Sequence, residues 1–563
     1  MKRVLRNFIA LSIVITSISV NAQQMRYLDD IFTNVTVISD VQYAENISIL
    51  PAVLSGGVNP PALSPILCDI YHPTGDSLTD RPVVVLTHTG SFLPPVVNGQ
   101  PTGNKLDSSV VHNCMRWAKK GYVAIAMNYR LGWNPTSTNQ DTRTSTLLQA
   151  AYRGVQDCRS LVRFLRKSVA VDGNPYGIDH NKIAIGGQGT GGYLSLAAAT
   201  LDTIGDTSPW QEIYLTKFFN LTTMQPYVYP PFFGNYDGTD SAGVPIVDTT
   251  TGTVVGTAWM NIPNNPTYSS DFNFAFNIGG CLADSSWLEQ GDMPIVSFHC
   301  AKDENGPYSN GDVIVPTTGQ FVVEAQGSYI VQKHQDMYGN NSVFANAGIS
   351  DPITSQSVIN NTKYDTIYNS YPVGNNYEGL YTFVTPPPST TPNAFGQVAG
   401  EEGAPWDWWD NVWYDQMFMA VNPTLPNGTA TPPGFGAANS LLGGSMSPSK
   451  GNAYLDTIQG YLNPRMFLAL GLDTITSSTT SIEDIIDFAT EIYPNPSTDM
   501  INVISYAARI NDIEIYNIHG QIVFNELVNS TAVKINTNHL RAGAYILRIN
   551  SDKTTISRKL IIE

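Results

Sequence analysis

Lys182-Ile183-Ala184-Ile185-Gly186-Gly187-Gln188-Gly189-Thr190-Gly191-Gly192 is the stretch on which the fold turns. Lys182 to Gly187 is a short apolar run of the kind that forms a buried strand, and it ends in clustered glycines. Tyr193 to Ala199 then opens a helix, with Leu194, Leu196 and three alanines as good helix formers. A strand that passes through a glycine turn straight into a helix is half of a parallel βαβ unit. Outward from it, Pro82 to Thr87 (PVVVLT) and Tyr122 to Met127 (YVAIAM) read as further buried strands. Arg153 to Lys167 shows helical spacing through Val155, Leu161, Val162 and Leu165. Met293 to Phe298 and Gly379 to Val384 add two strands. The expected fold class is α/β, a mostly parallel sheet flanked by helices with right-handed crossovers.

The 563 residues divide into four parts. Residues 1–22 read as a signal peptide: Lys2, Arg3 and Arg6 precede the apolar run Phe8 to Val20, and Val20-Asn21-Ala22 suits cleavage. Residues 23–471 carry the α/β pattern. Residues 472–490 contain Thr476-Ser477-Ser478-Thr479-Thr480-Ser481, a polar run that reads as a linker. From residue 491 to 563, short alternating strands and turns indicate a small all-β, sandwich-like module. Two stretches of the large part break its rhythm, about 218–268 and about 340–376. The first is rich in aromatics (Phe218, Phe219, Tyr227, Tyr229, Phe232, Phe233, Tyr236), which either pack the insert onto the body or form a lid. The second reads as polar and loop-like.

Charged residues are only 14% of the chain and the formal net charge is −17, which repels phosphate backbones and excludes nucleic acid as a partner. No apolar run reaches the ~20 residues of a membrane span. The five cysteines show no C-x-x-C pair or His-Cys cluster, so neither a metal nor another cofactor is expected. Cys281 and Cys300 flank one strand and are the first candidates for a disulfide. Burial of all five as small hydrophobes is the equal alternative.

Several motifs now fall into order. Asp69-Ile70-Tyr71-His72-Pro73, His88-Thr89-Gly90-Ser91-Phe92 and Asn128-Tyr129-Arg130-Leu131 are followed by Asp157, Gly177-Ile178-Asp179 and the glycine turn. Trp287, Pro294 and Phe298-His299-Cys300-Ala301-Lys302-Asp303 come next, with Pro307-Tyr308 after them. Across about residues 65–410 this series resembles carboxylesterase/lipase-type α/β-hydrolases. The resemblance implies an α/β-hydrolase fold. It also implies a G-x-S-x-G nucleophile elbow at Gly187-Gln188-Gly189-Thr190-Gly191 and an oxyanion hole from Gly90, Ser91 and the Thr190 amide. The catalytic acid falls at Asp303.

The chain departs from that pattern at two places. The nucleophile slot is Gly189, which has no atom to attack a carbonyl. No histidine occurs between His334 and His519, although the family's base follows the Gly379–Val384 strand. Gly400-Glu401-Glu402-Gly403-Ala404-Pro405-Trp406 is similar to the family's terminal Gly-x-Gly-His-x-Pro loop, with Glu402 read as the former histidine position. His88 and His299 take structural roles by the same resemblance. Asp303 is then a relic or a loop cap. Thr190 or Ser195 with His334 and Asp303 is the set an active enzyme would need. Trp406, Trp408, Trp409 and Trp413 read first as a packed C-terminal helix and second as the wall of an apolar pocket.

At the C-terminus, Ile492-Tyr493-Pro494-Asn495-Pro496-Ser497 is followed by Ile513 to Gly520 and by Leu540 to Arg548. Lys559-Leu560-Ile561-Ile562-Glu563 closes the chain. The module is similar to the type A C-terminal sorting domain of type IX secretion cargo from Bacteroidetes-type bacteria. This implies the type IX secretion machinery as a partner and a secreted or cell-surface location. The expectation for function is a pseudo-hydrolase, an esterase fold used for binding or adhesion to an unidentified small molecule, polymer or protein. The alternative is an active carboxylic-ester hydrolase with a non-standard site.

Overall fold

A computed structural model describes residues 25–563 apart from 96, 99, 202–216, 316–317, 369–375, 389, 394–397, 426, 440–446, 474–489, 506–508, 518–520 and 552–554. The expected signal peptide, most of the expected linker and His519 lie outside the described residues.

Eight strands form the central sheet: β1 (Val35–Ser48), β2 (Ala62–Pro73), β3 (Arg81–Thr87), β4 (Val123–Met127), β5 (Ile178–Gln188), β6 (Phe274–Ile278), β7 (Ile295–Cys300) and β8 (Leu380–Phe383). Their order is β1-β2-β4-β3-β5-β6-β7-β8. The β1–β2 and β2–β4 pairs are antiparallel and every later pair is parallel. Strands β3, β4, β6, β7 and β8 are buried along their whole length, as their unbroken apolar runs require when helices cover both faces.

Each face has its own core. One layer gathers Val83, Val85, Ile125, Ile185 and Leu194 against the helix α2 (Gln140–Ala170). The other gathers Val84, Leu86, Ala124, Phe276 and Phe298 against the helices α1 (Ser108–Lys120) and α7 (Pro448–Ala469). The alternation of Val83 and Val85 with Val84 and Leu86 distributes one strand's side chains to both layers. Short helix α3 (Thr190–Thr200) starts where β5 stops, at the carboxyl ends of the parallel strands. Open α/β sheets place their sites at that edge.

One feature differs from expectation, and two others decide between the alternatives. Asn340–Asn376 carries helices at Ser342–Ala345 and, as α5, at Pro352–Tyr368, because Asp351 caps the second, Phe344 and Ile353 reach the core, and Asn341, Ser357 and Asn361 are buried in hydrogen bonds. The aromatic insert folds into two short hairpins, Phe219–Asn220 with Gln225–Pro226 and Ala242–Val247 with Val254–Asn261. Phe218 stacks on Trp287 at 5.4 Å and meets Tyr152 edge-on, so the aromatics nearest the body pack the insert onto it. The Cys281–Cys300 disulfide does not form, and all five thiols are free and buried. Cys300 points into the layer of Phe298 and Trp406, whereas the Cys281 thiol lies 3.4 Å from the Pro307 carbonyl.

The C-terminal module pairs two antiparallel sheets. One joins Thr490–Tyr493, Met500–Ser505 and Ala532–Asn536; the other joins Ile522–Ser530, Ile510–Tyr516, Gly543–Ser551 and Thr555–Ile562. Ile501, Val503, Ile513, Ile515, Leu547 and Ile549 alternate inward and make its separate core. Among the described residues no helix is long and apolar enough to cross a membrane.

Candidate active site

Gly189 is the N-cap of α3, with φ 50° and ψ −118°, a left-handed φ that glycine alone adopts without strain. Its N–H donates to the Ile278 carbonyl (2.9 Å), and its own carbonyl accepts from Gly192 and Tyr193. The sharp elbow therefore persists without a nucleophile. The volume in front of it is filled: a Cβ placed on Gly189 would collide with Thr89 Oγ1. Thr89 comes from the loop after β3, so one wall of the site supplies the atoms that the other lacks.

That loop is held from behind. His88 is fully buried and stacks on Tyr129 (4.4 Å), with Nδ1 2.5 Å from the Thr89 carbonyl. Burial lowers its pKa to about 4, so the ring is neutral. Tyr129 Oη donates to the His88 carbonyl (2.9 Å) and lies 3.3 Å from Thr190 Oγ1. Gly90 and Ser91 adopt positive φ (114° and 54°), and Trp133 Nε1 donates to the Ser91 carbonyl at 2.7 Å. Thr190 opens α3, where an N–H has no acceptor within the helix. Gly90, Ser91 and Thr190 border one cavity together with Gly189 and Asp303.

Asp303 follows β7. Its Oδ1 accepts from the Asn305 and Gly306 amides (2.8 and 3.2 Å), an arrangement that closes the loop. Its Oδ2 takes no hydrogen bond among the described residues and lies 3.7 Å from His299 Nε2. Burial pushes this carboxyl up to about 7, against the two amide donors. His299 gives no counter-charge. It is buried, bonded to Ser328 Oγ (2.9 Å) and the Gly306 carbonyl (3.0 Å), and lowered to about 4 by burial.

The loop from Gly400 does lie beside Asp303, in a register one residue from the expected one. The Glu402 carboxylate pairs with Lys450, and Glu401 pairs with Lys302 (2.9 Å). The residue whose side-chain direction meets Asp303 is Gly403, where an added Cβ would collide with Asp303 Oδ1. Counting back two residues from Pro405 in Gly-x-Gly-His-x-Pro also reaches 403, a signal already in the sequence.

Ser195 and His334 are not brought to this site. Ser195 Oγ donates to the Phe276 carbonyl (2.8 Å) and is buried under the elbow. His334 sits on α4 (Ser328–Tyr338), where its Nδ1 lies 2.9 Å from the Ile330 carbonyl, and it does not border the cavity. The tryptophans divide: Trp406 and Trp409 line the cavity, Trp408 packs on His112 (4.8 Å), and Trp413 lies on α6 (Asn411–Val421). They precede that helix more than they form it, which corrects the packed-helix expectation for Trp406 and Trp409.

Sequence reading missed Asp407. Its carboxyl is buried, Oδ1 lies 2.6 Å from Ser109 Oγ, and burial pushes it up to about 6. The cavity, about 240 Å³, is walled by Phe92, Trp133, Leu147, Leu148, Val323 and Trp409. Asp303, Asp407, Glu401 and Glu402 also line it, while no Lys, Arg or His does. Chemically it offers backbone N–H donors, carboxyls and apolar walls. No hydroxyl on its surface has a histidine within reach among the contacts of the described residues.

Residues 68–212 match the BD-FAE family model, and residues 491–563 match the model of the secretion system C-terminal sorting domain. The chain thus carries an esterase-like α/β-hydrolase domain followed by a type IX sorting domain. No curated protein matches significantly. Among solved structures, the chain is similar to Thermogutta terrifontis esterase 2 in several forms. Its apo form shares 17% identity over 44% of this chain and 70% of that one, with a TM-score of 0.24. Its paraoxon-phosphorylated form shares 18% over 44% and 69% (TM-score 0.25). Its cyclosarin-phosphonylated form shares 17% over 51% and 77% (TM-score 0.25).

Proposed function

We propose that the hydrolase domain is a non-catalytic binding module, carried to the cell surface or medium by type IX secretion, with the cavity above Gly189 as its ligand site. The observation that carries this reading is the side chain of Thr89, whose Oγ1 occupies the space a nucleophile's Cβ would need. A site awaiting a serine would keep that space open. Attack on a carbonyl also needs a base within hydrogen-bond reach of a hydroxyl. His299 is bonded through both ring nitrogens and His88 through Nδ1, both are neutral, and no cavity hydroxyl bonds to the buried His88 Nε2 among the described residues. Thr190 Oγ1 meets Tyr129, and Tyr129 is itself held far above its ordinary pKa by burial, so it is no base.

What supports binding is the cavity itself, where aromatic and aliphatic walls stand beside carboxyl, hydroxyl and amide groups. The test is hydrolysis of p-nitrophenyl acetate and butyrate by the purified chain, beside labelling with a fluorophosphonate. The expected outcome is turnover indistinguishable from buffer and no labelled residue. Stoichiometric labelling of any cavity hydroxyl would overturn the reading in favour of an active ester hydrolase.

A further inference from the structure

Resting on the reading of the cavity as a binding site, we propose that its ligand is an organic ammonium ion, an amine bearing an apolar group, with its nitrogen at Asp303. The charges around the cavity are lopsided. Four carboxyl groups line it and no cationic side chain does. The two nearest lysines are spent: Lys302 on Glu401 and Lys450 on Glu402. Asp303 and Asp407 are left with no cationic partner among the described residues.

Asp303 is the sharper of the two. Its side chain is 6% exposed, its Oδ1 is fully occupied by two amides, and its Oδ2 is left to the cavity. A buried carboxylate without a counter-charge is costly, so a ligand that supplies one is favoured over a neutral ligand of equal shape. The indole of Trp406 flanks the same spot. From one point above Gly279, Trp406 Cζ2 lies 3.1 Å away and Asp303 Oδ2 3.7 Å. An indole beside a carboxylate suits an ammonium group.

The apolar part then lies along Trp133, Leu147 and Trp409. The net charge of −17 raises the local concentration of cations and lowers that of anions.

The experiment is calorimetric titration of the full chain at pH 8 with benzylammonium, benzyl alcohol and benzoate, three probes of one shape and different charge. Benzylammonium is expected to bind about tenfold or more tightly than the alcohol, and Asp303→Asn is expected to remove that difference. Benzoate is expected not to bind. A second readout needs no variant. With Asp303 near pH 7, ammonium binding at that pH should release about half a proton, seen as a dependence of the heat on buffer ionisation. The groups facing Asp303 and its neighbourhood are Glu304, Glu401, Glu402 and Asp407, with Lys302, Lys450 and neutral His299.

Equal affinity for the alcohol, binding of benzoate, unchanged binding in a folded Asp303→Asn protein, or no binding of benzylammonium would each overturn the proposal. Ester turnover measured on the same sample separates the two readings. Turnover inhibited by benzylammonium would sink the non-catalytic function and leave the amine site standing. Absence of both turnover and amine binding would do the reverse.

Discussion

Thr89 and Gly189 exclude one another's side chains: the Oγ1 of the first lies where a Cβ on the second would stand. They belong to different loops, one after β3 and one after β5, brought together because these strands are parallel neighbours, with Thr87 opposite Gly187. The absence of a side chain at 189 and the Thr89 hydroxyl on the facing loop are thus coupled by packing.

Stability tests that coupling. Gly189→Ser overpacks a rigid site and places a side chain at a strained φ, two effects each worth about 1–3 kcal/mol. Thr89→Gly should cost less, and in the double variant the overpacking part should vanish. Urea melts of the four proteins are expected to give a coupling of about 1–3 kcal/mol, the range for residues in contact. Additive losses would mean that the two side chains do not compete.

The same geometry revises how chemistry could be restored. Gly189→Ser with Glu402→His should stay inactive, because residue 402 turns to Lys450 and Thr89 still fills the slot. Thr89→Gly, Gly189→Ser and Gly403→His together should gain ester hydrolysis, with the histidine contributing about 10²–10⁴-fold over the variant lacking it. Asp303 must rotate away from residue 403 to admit the ring, and its cavity-facing side leaves that movement open. Initial rates with p-nitrophenyl acetate decide; equal rates with and without the histidine would remove 403 as the base position.

Much of this architecture is legible in the sequence alone. Strands such as Pro82–Thr87 and the glycine turn at 186–192 are local signals, and their spacing dictates parallel pairing. The order of motifs carries the hydrolase topology. What is not legible depends on direction. Glu401, Glu402 and Gly403 are adjacent, and only the path of the loop decides which of them faces Asp303. Thr89 looks like an ordinary variation in a glycine loop, since nothing local ties residue 89 to residue 189. Asp407 is hidden among four tryptophans, and the helices at 342–345 and 352–368 are hidden because their buried faces include polar residues, Ser357 and Asn361, whose internal hydrogen bonds a sequence pattern does not show.

The five thiols offer a check on the core itself. All are buried, and burial raises the pKa of each well above the ordinary thiol value. The native chain should therefore leave a thiol reagent such as dithionitrobenzoate unreacted at pH 8, and all five should react once guanidinium unfolds it. Fewer than five after unfolding without reductant would reveal a disulfide, with Cys281 and Cys300 the pair to examine first.

The dependence of stability on pH tests the electrostatics of the cavity. The Asp303 carboxyl titrates at about 7 in the folded chain and near 4 when unfolded, so the folded state holds an extra proton between these values. Its contribution to stability therefore falls as pH rises from 4 to 7 and is flat above. Asp407, at about 6, acts in the same direction over a narrower window. His88 and His299, lowered to about 4, act in the opposite one: the unfolded chain holds their protons between pH 4 and 6.5, and stability is lost as pH falls through that range. The whole-protein curve mixes these contributions, but the difference between Asp303→Asn and the parent isolates one. Asparagine keeps an oxygen for the Asn305 and Gly306 amides and never ionises. The variant should match the parent near pH 4 and exceed it at pH 8 by on the order of 4 kcal/mol, since each tenfold change in proton affinity on folding is worth about 1.4 kcal/mol. Thermal or urea melts at both pH values measure it. A difference that does not grow with pH would mean that Asp303 is ionised without cost in the folded chain, and that a counter-charge is already beside it.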